Sequence, residues 1–134
     1  MPRPRTLRKV VAPPKFTGFK PYGEGEKSTE FIALFYEEYE AIKLADYKLM
    51  NHAEAAFLMG VSRSTFARIY EKARRKVAQA LVEAKEIRAV YGNAVLDKNW
   101  YVCKKCHARF TIPKTIKKHL CAMCASDQIE FINK

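Results

Sequence analysis

The chain has 134 residues and a hydrophobic content of 49%, which excludes a wholly disordered protein and allows one packed domain or two small ones. Its formal net charge of +11 is divided as +4 over residues 1–30, +2 over residues 31–92 and +5 over residues 93–134, so the basic charge lies mainly at the two ends. The longest apolar run, FIALFY, is too short to span a bilayer, and prolines interrupt the start before a signal peptide could form. We therefore expect a cytoplasmic protein with no membrane partner and with a polyanion such as nucleic acid as its partner.

Residues 1–30 are predicted to form a basic arm that is rich in proline and glycine. The prolines interrupt any long helix, while Arg3 and Arg5 charge the tip of the arm. An extended arm that carries arginine suits the narrow minor groove of DNA, although a solvated tail would have the same composition. Arg3 and Arg5 are therefore candidate DNA contacts.

Residues 31–92 show the periodicity of helices. A first helix is predicted over residues 36–45, followed by a short helix that Asn51 caps and Gly60 ends. Ser62 can cap the next helix after only a short turn. A small residue at Ala56 and an apolar one at Phe66 complete the pattern of a helix-turn-helix, although a purely structural helical hairpin would share part of it.

The helix that follows Ser62 carries apolar residues on one face and polar or basic residues on the other. Between residues 62 and 76 there are six basic side chains and one acidic side chain. The N-terminal turn of a recognition helix enters the major groove, so Arg63, Ser64 and Arg68 are candidates for base edges. Thr65, Lys72 and Arg75 are better placed for phosphates, which add affinity without sequence information. The complete candidate set on this helix is Ser62, Arg63, Ser64, Thr65, Arg68, Lys72 and Arg75.

The segments VSRSTFARIYEKARRKVAQALVE and YEEYEAIKLAD resemble region four of sigma factors, which reads promoters through a helix-turn-helix. Together with MPRPRTLRKV and FKPYG, they also resemble a family of small bacterial and archaeal proteins described as predicted DNA-binding proteins of unknown function. The resemblance covers roughly residues 1–90 and implies DNA binding and regulation of transcription. A further stripe, Val77, Leu81, Ala84 and Ile87, would supply a homodimer seam, but packing within one chain explains it equally well.

A hinge is predicted at residues 93–99 and a metal-binding module at residues 100–134. Four cysteines in two CxxC pairs, Cys103, Cys106, Cys121 and Cys124, indicate a structural Zn²⁺ site in a reducing compartment. An alternative is a single finger in which His119 replaces Cys121 and residues 111–120 form a helix. The four-cysteine interpretation is favoured because it gives DQIEFI a place as the last strand of a small sheet. That segment resembles zinc ribbons.

The expected fold is mainly α: a helix-turn-helix domain with a basic arm and a small zinc-ribbon-like β module. Four protein ligands would leave a zinc ion no open position for water, so we expect no enzyme and name no catalytic residue. The expected function is a transcriptional regulator that binds double-stranded DNA. The alternative is an adaptor that binds RNA, RNA polymerase or another protein mainly through the zinc module.

Overall fold

The computed structural model of the chain describes residues 7–23, 30–96 and 98–133. Its helices are α1 (Tyr36–Ile42), α2 (His52–Met59) and α3 (Arg63–Glu83), with a π-helical segment, Lys43–Tyr47, directly after α1. Its strands are β1 (Arg8–Val10), β2 (Gly18–Phe19), β3 (Phe31–Phe35), β4 (Glu86–Val90), β5 (Ala94–Leu96), β6 (Trp100–Cys103), β7 (Arg109–Thr111) and β8 (Ile129–Phe131). Within these described ranges, no helix is both long and apolar enough to cross a membrane.

The prediction of a mainly α fold is wrong, because the described part of the chain contains eight strands in three small sheets beside its three helices. Two of the strands lie where an irregular arm was predicted, since β1 and β2 fall within residues 1–30. Strand β5 lies within the predicted hinge. Strands β1, β2 and β5 have only two or three residues, and each bonds to a partner that is distant in sequence, so local patterns do not reveal them.

The first two sheets join the N-terminal segment to the chain that follows α3. Strand β1 pairs in parallel with β5, so that Arg8 lies opposite Ala94. The second sheet has the order β2-β4-β3, with β4 antiparallel to β2 and parallel to β3. Gly18 is required in β2, because a Cβ atom there would lie 2.3 Å from the Ile87 carbonyl oxygen. The N-terminal segment is thus built into the same body as the helices.

The helices surround one core: α3 packs against α1 and α2, and the π-helical segment packs against α1 and α2. The buried members of this core are Ala41, Leu44, Ala55, Ala56, Met59, Phe66 and Ile69. Asn51 caps α2 through its side chain, which accepts the Glu54 amide at 2.8 Å, and Gly60 ends α2 in the left-handed conformation with φ 68°. Ser62 caps α3 by accepting the Thr65 amide at 3.1 Å. These three local predictions are confirmed.

Two buried glutamates of α1 tie distant segments to the helices. Glu40 Oε2 accepts the Val11 amide at 2.7 Å, just after β1. Both carboxylate oxygens of Glu37 accept the Asn93 amide, at 3.1 and 3.0 Å, just before β5. A carboxylate that accepts buried backbone donors satisfies groups that would otherwise be costly to bury. Helix α1 therefore holds both ends of the β1–β5 pair.

The apolar stripe toward the end of α3 is only partly buried. Ala80 is buried, whereas Leu81 is 78% exposed. Ala84 ends the helix in the left-handed conformation, and Ile87 lies beyond it in β4, opposite Ile32. The seam that the sequence suggested is therefore not one continuous helical face.

Candidate nucleic-acid interface and metal centre

The N-terminal half of α3 presents its polar face outward and its apolar face to the core. Phe66, Ile69 and Ala73 are buried, at 0%, 8% and 0% exposure. The exposed candidates are Ser62, Arg63, Ser64, Arg68, Lys72 and Arg75, while Thr65 is half-buried. The structure therefore leaves these predicted side chains accessible, with Thr65 only partly so.

A small hydroxyl network fixes the first turn of α3. Besides accepting the Thr65 amide, Ser62 donates its hydroxyl to Thr65 Oγ1 at 2.9 Å and lies 3.2 Å from Ser64 Oγ. Arg68 Nη2 donates to Thr65 Oγ1 at 3.4 Å. The hydroxyl groups of Ser62 and Thr65 are thus engaged within the helix end, whereas the guanidinium groups of Arg63 and Arg68 remain at the surface.

Two basic residues further along α3 have different surroundings. Arg75 pairs with Glu71 at 3.0 Å, and both side chains are well exposed, so the pair is weak and water can replace either partner. Lys76 turns inward: its ammonium donates to Glu38 Oε1 at 2.6 Å and to the Ala33 carbonyl at 2.8 Å. Lys76 therefore belongs to the interior contacts of the fold and not to the basic surface.

The four cysteines predicted as metal ligands lie together at one end of the third sheet, which has the antiparallel order β7-β6-β8, with Cys103 as the last residue of the central strand. Their sulfur atoms all lie within 4.8 Å of one another. The Sγ atoms of Cys103 and Cys124 are 3.6 Å apart, and those of Cys106 and Cys121 are 3.5 Å apart. Sulfurs at about 2.3 Å from one tetrahedral ion would be about 3.8 Å apart, so the cluster has the dimensions of a four-thiolate site.

Backbone amides favour the thiolate form of two of the sulfurs. The Cys106 amide is the main influence that lowers the pKa of the Cys103 thiol. Burial alone would raise the pKa of Cys121, but the amides of Cys124 and Met123, together with the thiols of Cys106 and Cys124, outweigh it and lower that pKa to about 6. For Cys106, the Ala108 amide lowers the pKa, but burial and the neighbouring thiols raise it to about 12. Thiolate is the form that binds metals, so the cluster is partly prepared for a cation.

His119 lies outside this cluster. Its ring faces Tyr101, with 5.9 Å between the ring centroids, and the residue is exposed. Residues 112–120 contain turns and no helix, so the helix of the alternative finger is absent from this described stretch. Strand β8 instead pairs with β6, with Ile129 opposite Cys103, which is the place that the four-cysteine interpretation gave it.

The cysteine-bearing sheet is attached to the rest of the molecule through β1 and β5. Trp100 and Ile132 pack against a buried cluster of Val10, Ala94 and Leu96. Arg109 adds polar contacts, donating to the Lys15 carbonyl at 3.3 Å and to Thr17 Oγ1 at 3.2 Å. The N-terminal segment therefore touches both the helices and the cysteine-bearing sheet.

Comparison with known proteins identifies the family. Residues 1–96 match the family described as "Protein of unknown function DUF134". The chain belongs to the DUF134 family. The match ends before the cysteines, and the candidate contacts Arg3 and Arg5 fall within it but outside the residues that the structure describes.

Several curated relatives of this DUF134 protein extend the similarity over nearly the whole chain. A UPF0251 protein of Chloroherpeton thalassium is 42% identical over 130 residues, covering 97% of this chain and 86% of its own length. A UPF0251 protein of Clostridium acetobutylicum is 41% identical over 129 residues, covering 96% and 90%. A UPF0251 protein of Methanothermobacter thermautotrophicus is 37% identical over 134 residues, covering 99% and 69%. No solved structure matches the chain.

Proposed function

We propose that this DUF134 protein binds double-stranded DNA through α2, the turn at Gly60 and α3, which act as a helix-turn-helix, and that it regulates transcription. The observation that carries the proposal is the first half of α3. One face is anchored in the core by Phe66 and Ile69, while the other exposes basic and hydroxyl side chains from a fixed helix end. A rigid helix with an exposed basic face and an exposed N-terminal turn has the shape that can enter a major groove.

Roles follow from position along the helix. Arg63, Ser64 and Arg68 lie within the first two turns, where a recognition helix contacts base edges, and arginine can pair with guanine through two hydrogen bonds. Lys72 and Arg75 lie about 14 to 18 Å along the axis from Arg63, at 1.5 Å per residue, where the helix meets the phosphate backbone. The exposed pair of Arg75 with Glu71 leaves its guanidinium able to exchange a carboxylate for a phosphate.

A structural Zn²⁺ ion held by Cys103, Cys106, Cys121 and Cys124 is the second part of the proposal. Four thiolates suit zinc, and a closed tetrahedral set stabilises a small fold. The module needs such a staple, because its own buried cluster consists of only Cys103, Phe110 and Cys121. Elemental analysis of purified variants tests the ligand set: Cys121→Ser should lose zinc, whereas His119→Ala should retain it. Loss of zinc in His119→Ala with retention in Cys121→Ser would contradict the set.

The double variant Arg63→Ala, Arg68→Ala tests whether α3, the proposed reading helix, contacts DNA bases. Each bidentate contact to a base is worth about 1–3 kcal/mol, so we expect duplex affinity at moderate salt to fall at least tenfold. A matched control removes the same charge beside the other end of α3 through Lys20→Ala and Arg88→Ala. Equal affinity for the wild type and the first variant would refute the proposal.

A second candidate function is supported by the lysines around the cysteine cluster. Lys104, Lys105, Lys114, Lys117 and Lys118 are all exposed on this module. A basic surface beside a zinc site suits an adaptor that binds RNA or a protein such as RNA polymerase. Replacing Lys117 and Lys118 by glutamine should weaken such a partner's binding without changing duplex affinity, whereas the reading-helix proposal alone predicts no effect on either.

A further inference from the structure

Lys9 lies against the turn between α2 and α3. A Cβ atom placed on Gly60 would be 3.7 Å from each of the Cγ, Cδ and Cε atoms of Lys9, so the lysine stem runs over the turn. Lys9 is exposed, whereas its neighbour Val10 is fully buried. Successive residues of a strand point to opposite faces, so burying Val10 directs Lys9 outward.

The backbone beneath Lys9 is fixed on both sides. Lys9 lies opposite Val95 in the parallel β1–β5 pair, and the Val11 amide donates to the buried Glu40 carboxylate at 2.7 Å. Packing the stem on the turn further restricts the side chain. A lysine held in this way loses less conformational entropy on binding an anion than a lysine on a mobile arm.

The ammonium group of Lys9 has no counterpart within the described part of the chain. Among residues 7–23, 30–96 and 98–133, no carboxylate or carbonyl forms an ion pair or hydrogen bond with the Lys9 ammonium. Gly60 contributes no side chain that could cover it. The stem thus places the Lys9 ammonium at the surface beside the turn, where it is available to bind an anion.

The turn also sets the distance to the reading helix. Three peptide units separate Gly60 from Arg63, so their Cα atoms are at most about 11 Å apart. The major groove of B-DNA is about 12 Å wide and is flanked by phosphates on both strands. Gly60, against which the Lys9 stem packs, therefore lies within about one groove width of Arg63.

We propose that Lys9 contacts a phosphate of the duplex DNA backbone and that β1 extends the DNA-binding surface of α3. The inference rests on the proposed function and adds a strand residue to a helical reading surface. The contact supplies affinity and orientation but no base preference. A competing role for the same residue is purely structural, because a cation near the C-terminal end of α2 is also favoured by the helix dipole.

The test compares Lys9→Met with Lys20→Met in the full-length, metal-loaded protein. Methionine keeps the apolar stem on Gly60 and removes the charge. Lys20 is a suitable control because it lies near Glu86, whose pKa is lowered mainly by Arg88 and also by Lys20. Glu86 begins β4 beyond the C-terminal end of α3, a helix of 21 residues and about 31 Å.

Binding to a duplex of fixed sequence is measured between 50 and 200 mM salt, together with thermal unfolding. We expect Lys9→Met to weaken binding about 3–10-fold at the lower salt concentrations and to reduce the slope of log affinity against log salt by about one. Lys9→Arg should restore both quantities, and Lys20→Met should match the wild type.

Three results would overturn the inference. If Lys9→Met matches Lys20→Met while Arg63→Ala, Arg68→Ala weakens binding, the proposed function survives and the Lys9 contact is wrong. If Lys9→Met lowers the unfolding midpoint and leaves the salt slope unchanged, its role is to stabilise the end of α2. If the wild type binds no duplex at all, the proposed function fails and the Lys9 contact fails with it.

Discussion

Replacing Lys76 by methionine, in comparison with Lys72, should distinguish a lysine that stabilises the fold from one that is proposed to contact DNA. Lys76 and Lys72 are one helical turn apart on α3, and sequence alone gives both the same basic character. In the structure, Lys72 is exposed, whereas Lys76 contacts Glu38 and the Ala33 carbonyl and lies 4.1 Å from the centre of the Phe35 ring. We expect Lys76→Met to lower stability and leave DNA affinity per folded molecule unchanged. Lys72→Met should leave stability unchanged and weaken DNA binding.

The magnitude follows from what the substitution leaves behind. The Glu38 side chain is 3% exposed and would lose the one cation that pairs with it in the described part of the chain, retaining the Phe35 amide at 2.9 Å as a donor. Removing one partner of a fully buried ion pair costs about 3–5 kcal/mol. Lys76 is 26% exposed, so water can reach the pair, and we expect a loss of about 2–4 kcal/mol. For a chain of this length that corresponds to a fall of about 6–15 °C in the unfolding midpoint.

Thermal or urea unfolding of the metal-loaded protein measures this effect. The double variant Lys76→Met, Glu38→Gln completes a double-mutant cycle, and it should recover part of the loss, because a neutral amide replaces the abandoned carboxylate. An unfolding midpoint for Lys76→Met equal to that of Lys72→Met would refute the placement of Lys76. A reduced salt slope for DNA binding by Lys76→Met would refute it equally.

Two further predictions concern the connection between the helices and the cysteine-bearing sheet. Gly92→Ala should destabilise the protein by about 1–3 kcal/mol in urea unfolding. The new Cβ would lie 2.4 Å from Glu37 Oε1, which accepts the Asn93 amide. An unchanged midpoint would show that the contact between Glu37 and this segment is loose. Removing the proposed zinc ion with a chelator should lower the hydrogen-exchange protection of β1 and β5 as well as that of β6, because Trp100 and Ile132 pack on the cluster formed by β1 and β5. A loss confined to β6, β7 and β8 would contradict that coupling.

Features whose physical requirement is local could be predicted from the sequence. A helix start needs a side chain that accepts an amide three residues on, which Asn51 and Ser62 provide, and a sharp helix stop needs a left-handed residue, which Gly60 provides. The four cysteines also converge as expected, since two CxxC pairs can surround one ion in few ways. In each case the residues that decide the structure are close in sequence or chemically distinctive.

Features whose decisive contacts link distant segments could not be predicted from the sequence. Glu37 and Glu40 are buried acceptors for amides at the two ends of the β1–β5 pair. Nothing local to these glutamates reveals their partners. The same limit explains the fold-class error, because β1 and β5 are too short to be recognised without knowing that they lie side by side.

Lys76 shows a related limit within one helix. Helical geometry correctly placed the apolar face of α3 through Phe66, Ile69 and Ala73. It could not show that β3 and α1 approach the flank of the helix and capture Lys76 through Ala33 and Glu38. A count of basic residues on α3 therefore overstates the charge that is available to a partner.

Sequence selection from a random pool of duplex DNA, with the full-length metal-loaded protein, tests the central claim most directly. If α3 reads base edges through Arg63, Ser64 and Arg68, the selected duplexes should converge on a common site of a few base pairs, with guanine at positions that lose their preference in Arg63→Ala or Arg68→Ala. A pool that shows no enrichment after repeated selection, or the same enriched site for the wild type and for Arg63→Ala, Arg68→Ala, would contradict the account.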